Sequence, residues 1–204
     1  MRAIMESAFD IFYLIFVTSM GFYLIKKNEK GSNGRLFGIM AVVLGLGDAF
    51  HLVPRIFALN TENGFDVYVK ALGFGKAVTS ITMTIFYIIL YYIWKKRYDI
   101  KNSKGLDITI WGLSIIRIII GLLPQNQWLE KVQPLDFAIY RNIPFAIMGI
   151  ILIYLFNRET KKHNDKVFKN MGLAIILSFG FYIPVVLFGD LNPTIGLLMI
   201  PKTL

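Results

Sequence analysis

The stretch LFGIMAVVLGLGDAFHLVPRI, residues 36–56, is a long apolar run that ends in an acid, an imidazole and a guanidinium. A helix needs about 20 mostly apolar residues to cross the hydrocarbon core of a bilayer. Runs of similar length recur along the 204-residue chain, which is 55% hydrophobic and has a mean hydropathy of +0.57. Only 17% of its residues are charged, against about 25% in ordinary soluble domains. The sequence therefore predicts an all-α, polytopic membrane helix bundle, with a single transmembrane domain over residues 1–204.

Seven hydrophobic segments can be drawn, and they predict six full spans followed by a partial or truncated seventh. Their approximate limits are 7–25, 36–53, 71–94, 107–123, 136–157, 167–188 and 194–204. The seventh segment is too short to span, so we expect either a fragment of a longer protein or a re-entrant or partial helix. The first segment carries Glu6 and Asp10 without a small-residue cleavage site after it. It is therefore expected to be a span rather than a signal peptide.

The distribution of basic residues predicts the orientation. Most of the 22 lysines and arginines lie in three segments between apolar runs, at 26–35, 95–107 and 158–169. Cytoplasmic loops of membrane proteins carry an excess of such residues. We therefore expect an integral protein of a bacterial-type plasma membrane, with its N-terminus outside, its basic loops in the cytoplasm and membrane lipids as its partners. The same distribution explains the net charge of +9 by topology, so no nucleic-acid partner is predicted.

The residue inventory excludes several kinds of chemistry. The chain has no cysteine and only two histidines, His51 and His163, whereas a zinc site needs three or four nitrogen, oxygen or sulfur ligands. We therefore predict no metal site and no cofactor. No extramembrane segment is long enough for a catalytic domain, so the function is expected within or beside the helices. The sequence leaves the oligomeric state open.

Four basic residues lie inside the predicted spans, where topology does not explain them: Lys76, Arg117, Arg141 and Lys202. A charged side chain at the centre of a membrane helix costs about 2.5–3.5 kcal/mol and is usually functional. With a rise of ~1.5 Å per residue, Lys76 lies roughly 7 Å and Arg117 roughly 9 Å below the outer boundary. All four are expected in the outer half of the membrane.

Asp48, His51 and Arg55 are spaced to form one helical stripe, which Gly38, Ala41 and Gly45 continue inward. Asp48 is expected roughly 8 Å below the outer boundary, His51 nearer to it and Arg55 at it. Small residues on such a face permit close packing against a neighbouring helix. We therefore expect a cationic, outward-facing cavity between the second, third, fourth, fifth and seventh helices, which binds an anionic lipid headgroup or another small anion. The expected catalytic residues are Asp48 and His51, and the expected ligand-binding residues are Lys76, Arg117, Tyr140, Arg141, Lys202, Arg55 and Asp190.

Other interpretations of these residues remain open. Asp48 could neutralise Arg117 or Lys76 in a structural ion pair, and Arg55 could anchor the helix end at the headgroups. A small-solute transporter or channel would use the same cavity without chemistry, and Pro144 and Pro184 would then serve gating. A seven-helix membrane sensor would bind a ligand there without catalysis.

The nonapeptide GDAFHLVPR, residues 47–55, resembles the glycine–aspartate motif of the lysoplasmalogenase-like integral membrane family. In that family the motif ends a membrane helix, and the next helix opens with glycine, as Gly73 and Gly75 do here. The resemblance covers about 50 residues and implies hydrolysis of the vinyl-ether bond of lysoplasmalogens. Only Asp48 carries over by position, because TSITMTIFY, residues 79–87, lacks the family's histidine, and the family's later serine–aspartate motif is absent. In such an enzyme Asp48 would act as general acid or base, with His51 relaying protons.

Overall fold

A computed structural model of the chain describes residues 2–188, and every regular element in that range is a helix. The α-helices are α1 (Arg2–Lys27), α2 (Asn33–Leu59), α3 (Gly64–Val67), α4 (Val69–Arg97), α5 (Lys104–Leu122), α6 (Leu135–Lys162) and α7 (Met171–Phe188), and a 3-10 turn forms at Pro124–Asn126. Within the described residues, α1, α2, α4, α5 and α6 are long and apolar enough to cross a membrane. The all-α prediction is confirmed for this part of the chain. The predicted segment 194–204 lies outside it, together with Asp190 and Lys202.

The chain divides into two compact units. Among the described residues, the first contains 2–97 together with Gly121–Gln133, and the second contains Tyr98–Ile120 together with 134–188. Helices α1, α2 and α4 therefore belong to the first unit, and α6 and α7 to the second.

Helices α1 and α2 form an antiparallel hairpin with a short, well-capped turn. The side chain of Ser32 caps the start of α2 by accepting a hydrogen bond from the backbone N–H of Arg35, at 3.2 Å. Gly31 adopts a φ of 83° in the turn, a conformation that costs glycine little. The guanidinium of Arg35 donates to the backbone oxygen of Ile25 at 3.0 Å. One of the carbonyls left open at the end of α1 is thereby satisfied.

The half of this hairpin nearer the turn is packed through glycines. A Cβ atom at Gly38 would lie 2.8 Å from the backbone oxygen of Gly21, and one at Gly45 would lie 2.6 Å from the hydroxyl of Thr18. The prediction that small residues on α2 permit close helix packing is confirmed at Gly38 and Gly45. Neither position has room for a side chain, because the backbones of α1 and α2 approach closely there.

Helix α2 continues beyond the predicted end of its span at residue 53. It runs through Pro54 to Leu59, so Arg55 belongs to the same helix as Asp48 and His51. A proline has no N–H for the preceding turn of the helix, which leaves the carbonyl of Phe50 without its usual donor. That carbonyl lies against Gly75 of α4, where an added Cβ would be 2.2 Å away. The glycine thus allows α4 to pack directly on α2 at the proline turn.

In the second unit, α7 packs along α6. The rings of Phe145 and Phe179 lie 5.0 Å apart between centroids. A Cβ at Gly149 would come within 2.3 Å of the Phe179 ring, so this glycine makes the space that the aromatic side chain occupies. Pro144 and Pro184 both lie inside helices, in α6 and α7 respectively.

Candidate functional site

Helix α1 presents a polar face inside an otherwise apolar segment. Glu6, Ser7, Asp10 and Tyr13 are all buried, with exposed fractions of 6%, 8%, 8% and 6%. Positions 6, 10 and 13 follow the i, i+4, i+7 spacing of one helix face. The remaining large side chains of α1 are largely exposed, as expected of a surface turned toward lipid. The buried polar face must therefore find its partners on a neighbouring helix.

Those partners are on α2. The hydroxyl of Tyr13 donates to Oδ2 of Asp48 at 2.8 Å, the guanidinium of Arg55 donates to Oε2 of Glu6 at 3.0 Å, and the side-chain amide of Asn60 donates to the hydroxyl of Ser7 at 2.9 Å. Asp10 interacts electrostatically with both Arg55 and Glu6. We call this set the polar seam; it consists of Glu6, Ser7, Asp10, Tyr13, Asp48, Arg55 and Asn60.

His51 faces a different neighbour. Its Nδ1 lies 3.2 Å from the backbone oxygen of Leu72 in α4, so Nδ1 must carry the hydrogen of this bond and the neutral ring keeps Nε2 as its acceptor. The expected stripe is therefore divided between two partners. Asp48 and Arg55 bond to α1, whereas His51 bonds to α4. Lys76 and Arg55 both interact electrostatically with His51, although the side chain of Lys76 itself is exposed.

The second unit contains two buried arginines, one in contact with an aromatic ring and the other one helical turn before that ring on α6. The guanidinium of Arg117 is 3.5 Å from the centroid of Phe145, and only 2% of this arginine is exposed. Arg141 precedes Phe145 by four residues on α6, which places it one turn away on the same face, and it is 9% exposed. The geometry at Arg117 is that of a cation–π contact, in which a desolvated ring face attracts the cation.

Neighbouring polar groups in this unit are bonded to one another. Ser114 is 1% exposed and lies close to Met148, with its hydroxyl donating to the backbone oxygen of Ile110 at 2.7 Å. The hydroxyl of Tyr182 donates to the side-chain oxygen of Asn142 at 3.0 Å. Tyr140, by contrast, is 51% exposed.

The predicted site residues thus lie in both units. Asp48, His51, Arg55 and Lys76 belong to the first, and the arginines at 117 and 141 belong to the second. Asp190 and Lys202 are outside the described residues. The convergence of all these residues on one cavity stays a prediction.

Sequence reasoning missed the contribution of α1. The expected cavity involved the second, third, fourth, fifth and seventh helices, but the hydrogen-bond partner of Asp48 is Tyr13 of α1. The signal was present in the sequence, because Glu6, Asp10 and Tyr13 repeat at helical spacing in an apolar run. The carboxylic acids of α1 also change the charge of the polar seam in the first unit. Three carboxylic acids and one guanidinium belong to the polar seam, which is therefore not a cationic site.

An apolar hollow lies on the surface of α1. Its lining is formed by Phe12, Ile15, Phe16, Ser19, Met20 and Tyr23. None of the predicted ligand-binding residues contributes to it. Its apolar side chains are of the kind that face lipid tails in a membrane helix.

Comparison of the chain with protein-family models, curated proteins and solved structures finds no match.

Proposed function

We propose that this membrane protein binds an anionic group through Arg117 and Arg141 in its second unit. The observation that carries the proposal is the buried pair of arginines around Phe145, one 3.5 Å from the ring and the other one turn away on α6. Intramembrane ionisable residues are rare, costly and usually functional. The ligand is a phosphate or carboxylate, carried either by a lipid headgroup or by a small solute.

Arginine suits this role better than lysine. Its planar guanidinium presents several donors in a fixed arrangement that matches the oxygens of a phosphate or carboxylate. The Phe145 ring lies 3.5 Å from Cζ of Arg117, and a contact with a ring face takes up no hydrogen-bond donor of the guanidinium. The ring therefore orients the guanidinium without consuming its hydrogen-bonding capacity.

Native mass spectrometry of the detergent-solubilised protein tests the proposal. Phosphatidylglycerol and inorganic phosphate are added in separate titrations, which distinguishes a lipid headgroup from a free anion. Arg141→Gln is expected to weaken binding about tenfold or more, because a hydrogen bond to a charged group contributes about 1.5–3 kcal/mol. Arg117→Lys keeps the charge but loses the fork of donors, and it is expected to weaken binding as well.

The matched control is Arg158→Gln, which removes the same charge from an exposed position on the same helix. It is expected to leave binding unchanged. If Arg141→Gln and Arg117→Lys fold and retain wild-type binding of both probes, the proposal is wrong. Equal weakening by Arg158→Gln would also contradict it, because binding would then follow net charge rather than the buried pair.

The topology proposed with this function has the N-terminus outside and the segments 26–35, 95–107 and 158–169 in the cytoplasm. Its support is the alternation of basic and non-basic loops along the sequence. The proposed count is six full spans and a partial seventh.

A lipid hydrolase centred on Asp48 is the second candidate. The observation in its favour is the hydrogen bond from Tyr13, which holds the Asp48 carboxylate in a fixed orientation. Its test is turnover of lysoplasmalogen in proteoliposomes. Asp48→Asn that folds and retains full hydrolysis would exclude a catalytic Asp48. Solute flux without hydrolysis would instead favour a transporter, and ligand binding with neither would favour a sensor.

A further inference from the structure

One side chain of the polar seam has an unsatisfied atom. Asp10 is 8% exposed. Its Oδ2 atom is buried and accepts no hydrogen bond from any residue that the structure describes. Burying a polar oxygen without a donor costs free energy, and burying a charged one costs considerably more. This atom therefore requires a partner that the side chains within residues 2–188 do not supply.

The groups around Asp10 come from the two helices that pack together here. On α1, Glu6 lies one turn before it and Tyr13 lies one turn after it. On α2, Arg55 interacts electrostatically with Asp10 and bonds to Glu6 at 3.0 Å. Asp48 follows next along the seam and is bonded to Tyr13. Asp10 thus stands between a carboxylate held by a guanidinium and a carboxylate held by a phenol.

We propose that Asp10 is a proton-exchange site within the membrane. A proton bound to Oδ2 neutralises the carboxylate and converts the unsatisfied oxygen into a hydroxyl. A proton is also small enough to bind an oxygen atom that protein atoms cover completely, because it needs no cavity of its own. No group of three or more acidic or histidine side chains within residues 2–188 is arranged to hold a metal ion, which favours a proton over a metal as the ligand of this cluster.

The exchange step is the protonation and deprotonation of one carboxyl group. A hydronium ion gives its proton to Oδ2 of Asp10 and leaves as water, so that Asp10 becomes neutral while Glu6 stays ionised beside Arg55. Arg55 keeps its charge and stabilises the Glu6 carboxylate through the existing bond. Because Asp10 lies one turn, about 6 Å, along α1 from Glu6, its protonation removes one of two neighbouring negative charges. The step uses none of the residues assigned to anion binding.

Labelling with dicyclohexylcarbodiimide tests this inference on the full chain in proteoliposomes. The reagent adds to protonated carboxyl groups in apolar surroundings and forms a stable adduct, which peptide mass spectrometry locates. We expect an adduct on Asp10 whose yield rises from alkaline to mildly acidic buffer. Above the titration midpoint the yield should fall about tenfold for each pH unit, as for a single ionising group.

Two comparisons fix the assignment. Asp10→Asn should lose the adduct, and Asp136, an exposed acid in the first turn of α6, should remain unlabelled in the wild-type protein. Because the wild-type measurement stands alone, a variant that fails to fold does not weaken the test. The inference is overturned if Asp10 takes no adduct at any pH. It is also overturned if the yield at Asp10 does not change with pH, since the carboxyl would then be locked in one state.

Discussion

The phenol of Tyr13 in α1 lies 2.8 Å from Oδ2 of Asp48 in α2 and donates a hydrogen bond to it. Thirty-five positions separate the two residues in the chain, so the bond exists only when α1 and α2 are packed. Tyr13 is buried, with 6% of its surface exposed. The contact therefore contributes to the stability of the hairpin as well as to the orientation of Asp48.

Tyr13→Phe should destabilise the protein by about 1.5–3 kcal/mol, because the hydrogen bond to a carboxylate is lost while the ring remains. Equilibrium unfolding in detergent measures the change. Tyr23→Phe is the matched control, since it removes an exposed hydroxyl from the same helix. That hydroxyl accepts a hydrogen bond from Lys27, which is exposed as well. Equal losses in the two variants would contradict a specific role for the bond to Asp48.

Gly75→Ala should disrupt the contact of α4 with α2. The new methyl group would lie 2.2 Å from the carbonyl oxygen of Phe50 and 2.5 Å from Cα of His51, and neither backbone atom can rotate away. We expect a loss of about 1–3 kcal/mol or more, the range for overpacked sites. The thermal unfolding midpoint in detergent measures it.

Gly112→Ala provides the comparison for that substitution. A Cβ at Gly112 would meet no atom within 4 Å, so the change should be neutral or stabilising by up to about 1 kcal/mol through helix propensity. If both alanine variants unfold at the same temperature as the wild type, direct packing of α4 on the α2 backbone at Gly75 is wrong.

Arg55→Leu should cost about 3–5 kcal/mol, the range for breaking a buried ion pair, because it leaves the carboxylate of Glu6 buried without its guanidinium. Only 7% of the Glu6 side chain is exposed. The double variant Glu6→Leu with Arg55→Leu should recover most of this loss, since no uncompensated charge remains. A double-mutant cycle in detergent measures the coupling. Additive losses from the two substitutions would show that the pair is not coupled.

Cysteine accessibility tests the proposed orientation, and the chain has no native cysteine to remove. The Glu62→Cys variant should react with a membrane-impermeant maleimide on intact cells. The Lys101→Cys variant should react only after permeabilisation. Both positions are exposed, so a lack of reaction reports the side of the membrane. The reverse labelling pattern would exclude an external N-terminus.

Hydropathy predicted the helices of the described chain well but placed their ends poorly. The predicted segment 71–94 corresponds to Val69–Arg97, and 136–157 corresponds to Leu135–Lys162. The hydropathy of a segment depends on its apolar side chains, whereas a helix can continue into the polar residues on either side of that segment. The largest difference at a helix end is in α2, since the predicted segment stops at residue 53 and the helix runs through Pro54 to Leu59. A proline removes one backbone bond but does not end this helix, and the close approach of Gly75 to the carbonyl of Phe50 is a tertiary contact that no local pattern reveals.

The partners of the polar side chains could not be predicted with the same success. Helical spacing places residues on a face, but it does not say which helix that face meets. Asp48 and Arg55 bond to α1, and His51 bonds to α4, although the three residues span only two turns. A difference of about 60° around a helix with 3.6 residues per turn is enough to change the neighbour. Glu6 and Tyr13 of α1 carried the same spacing signal, and they are the partners of Arg55 and Asp48.

The glycine contacts and the polar seam have a consequence for how this protein enters the membrane. Glu6 and Arg55 would each carry a separate cost of transfer into lipid, but in the α1–α2 hairpin they are already joined. The two helices also approach each other closely without the help of a third helix. This close contact is at Gly21, Gly38 and Gly45. The first two helices therefore have the properties of an insertion unit that leaves the translocation machinery together, with the charges of Glu6 and Arg55 paired before they reach the lipid.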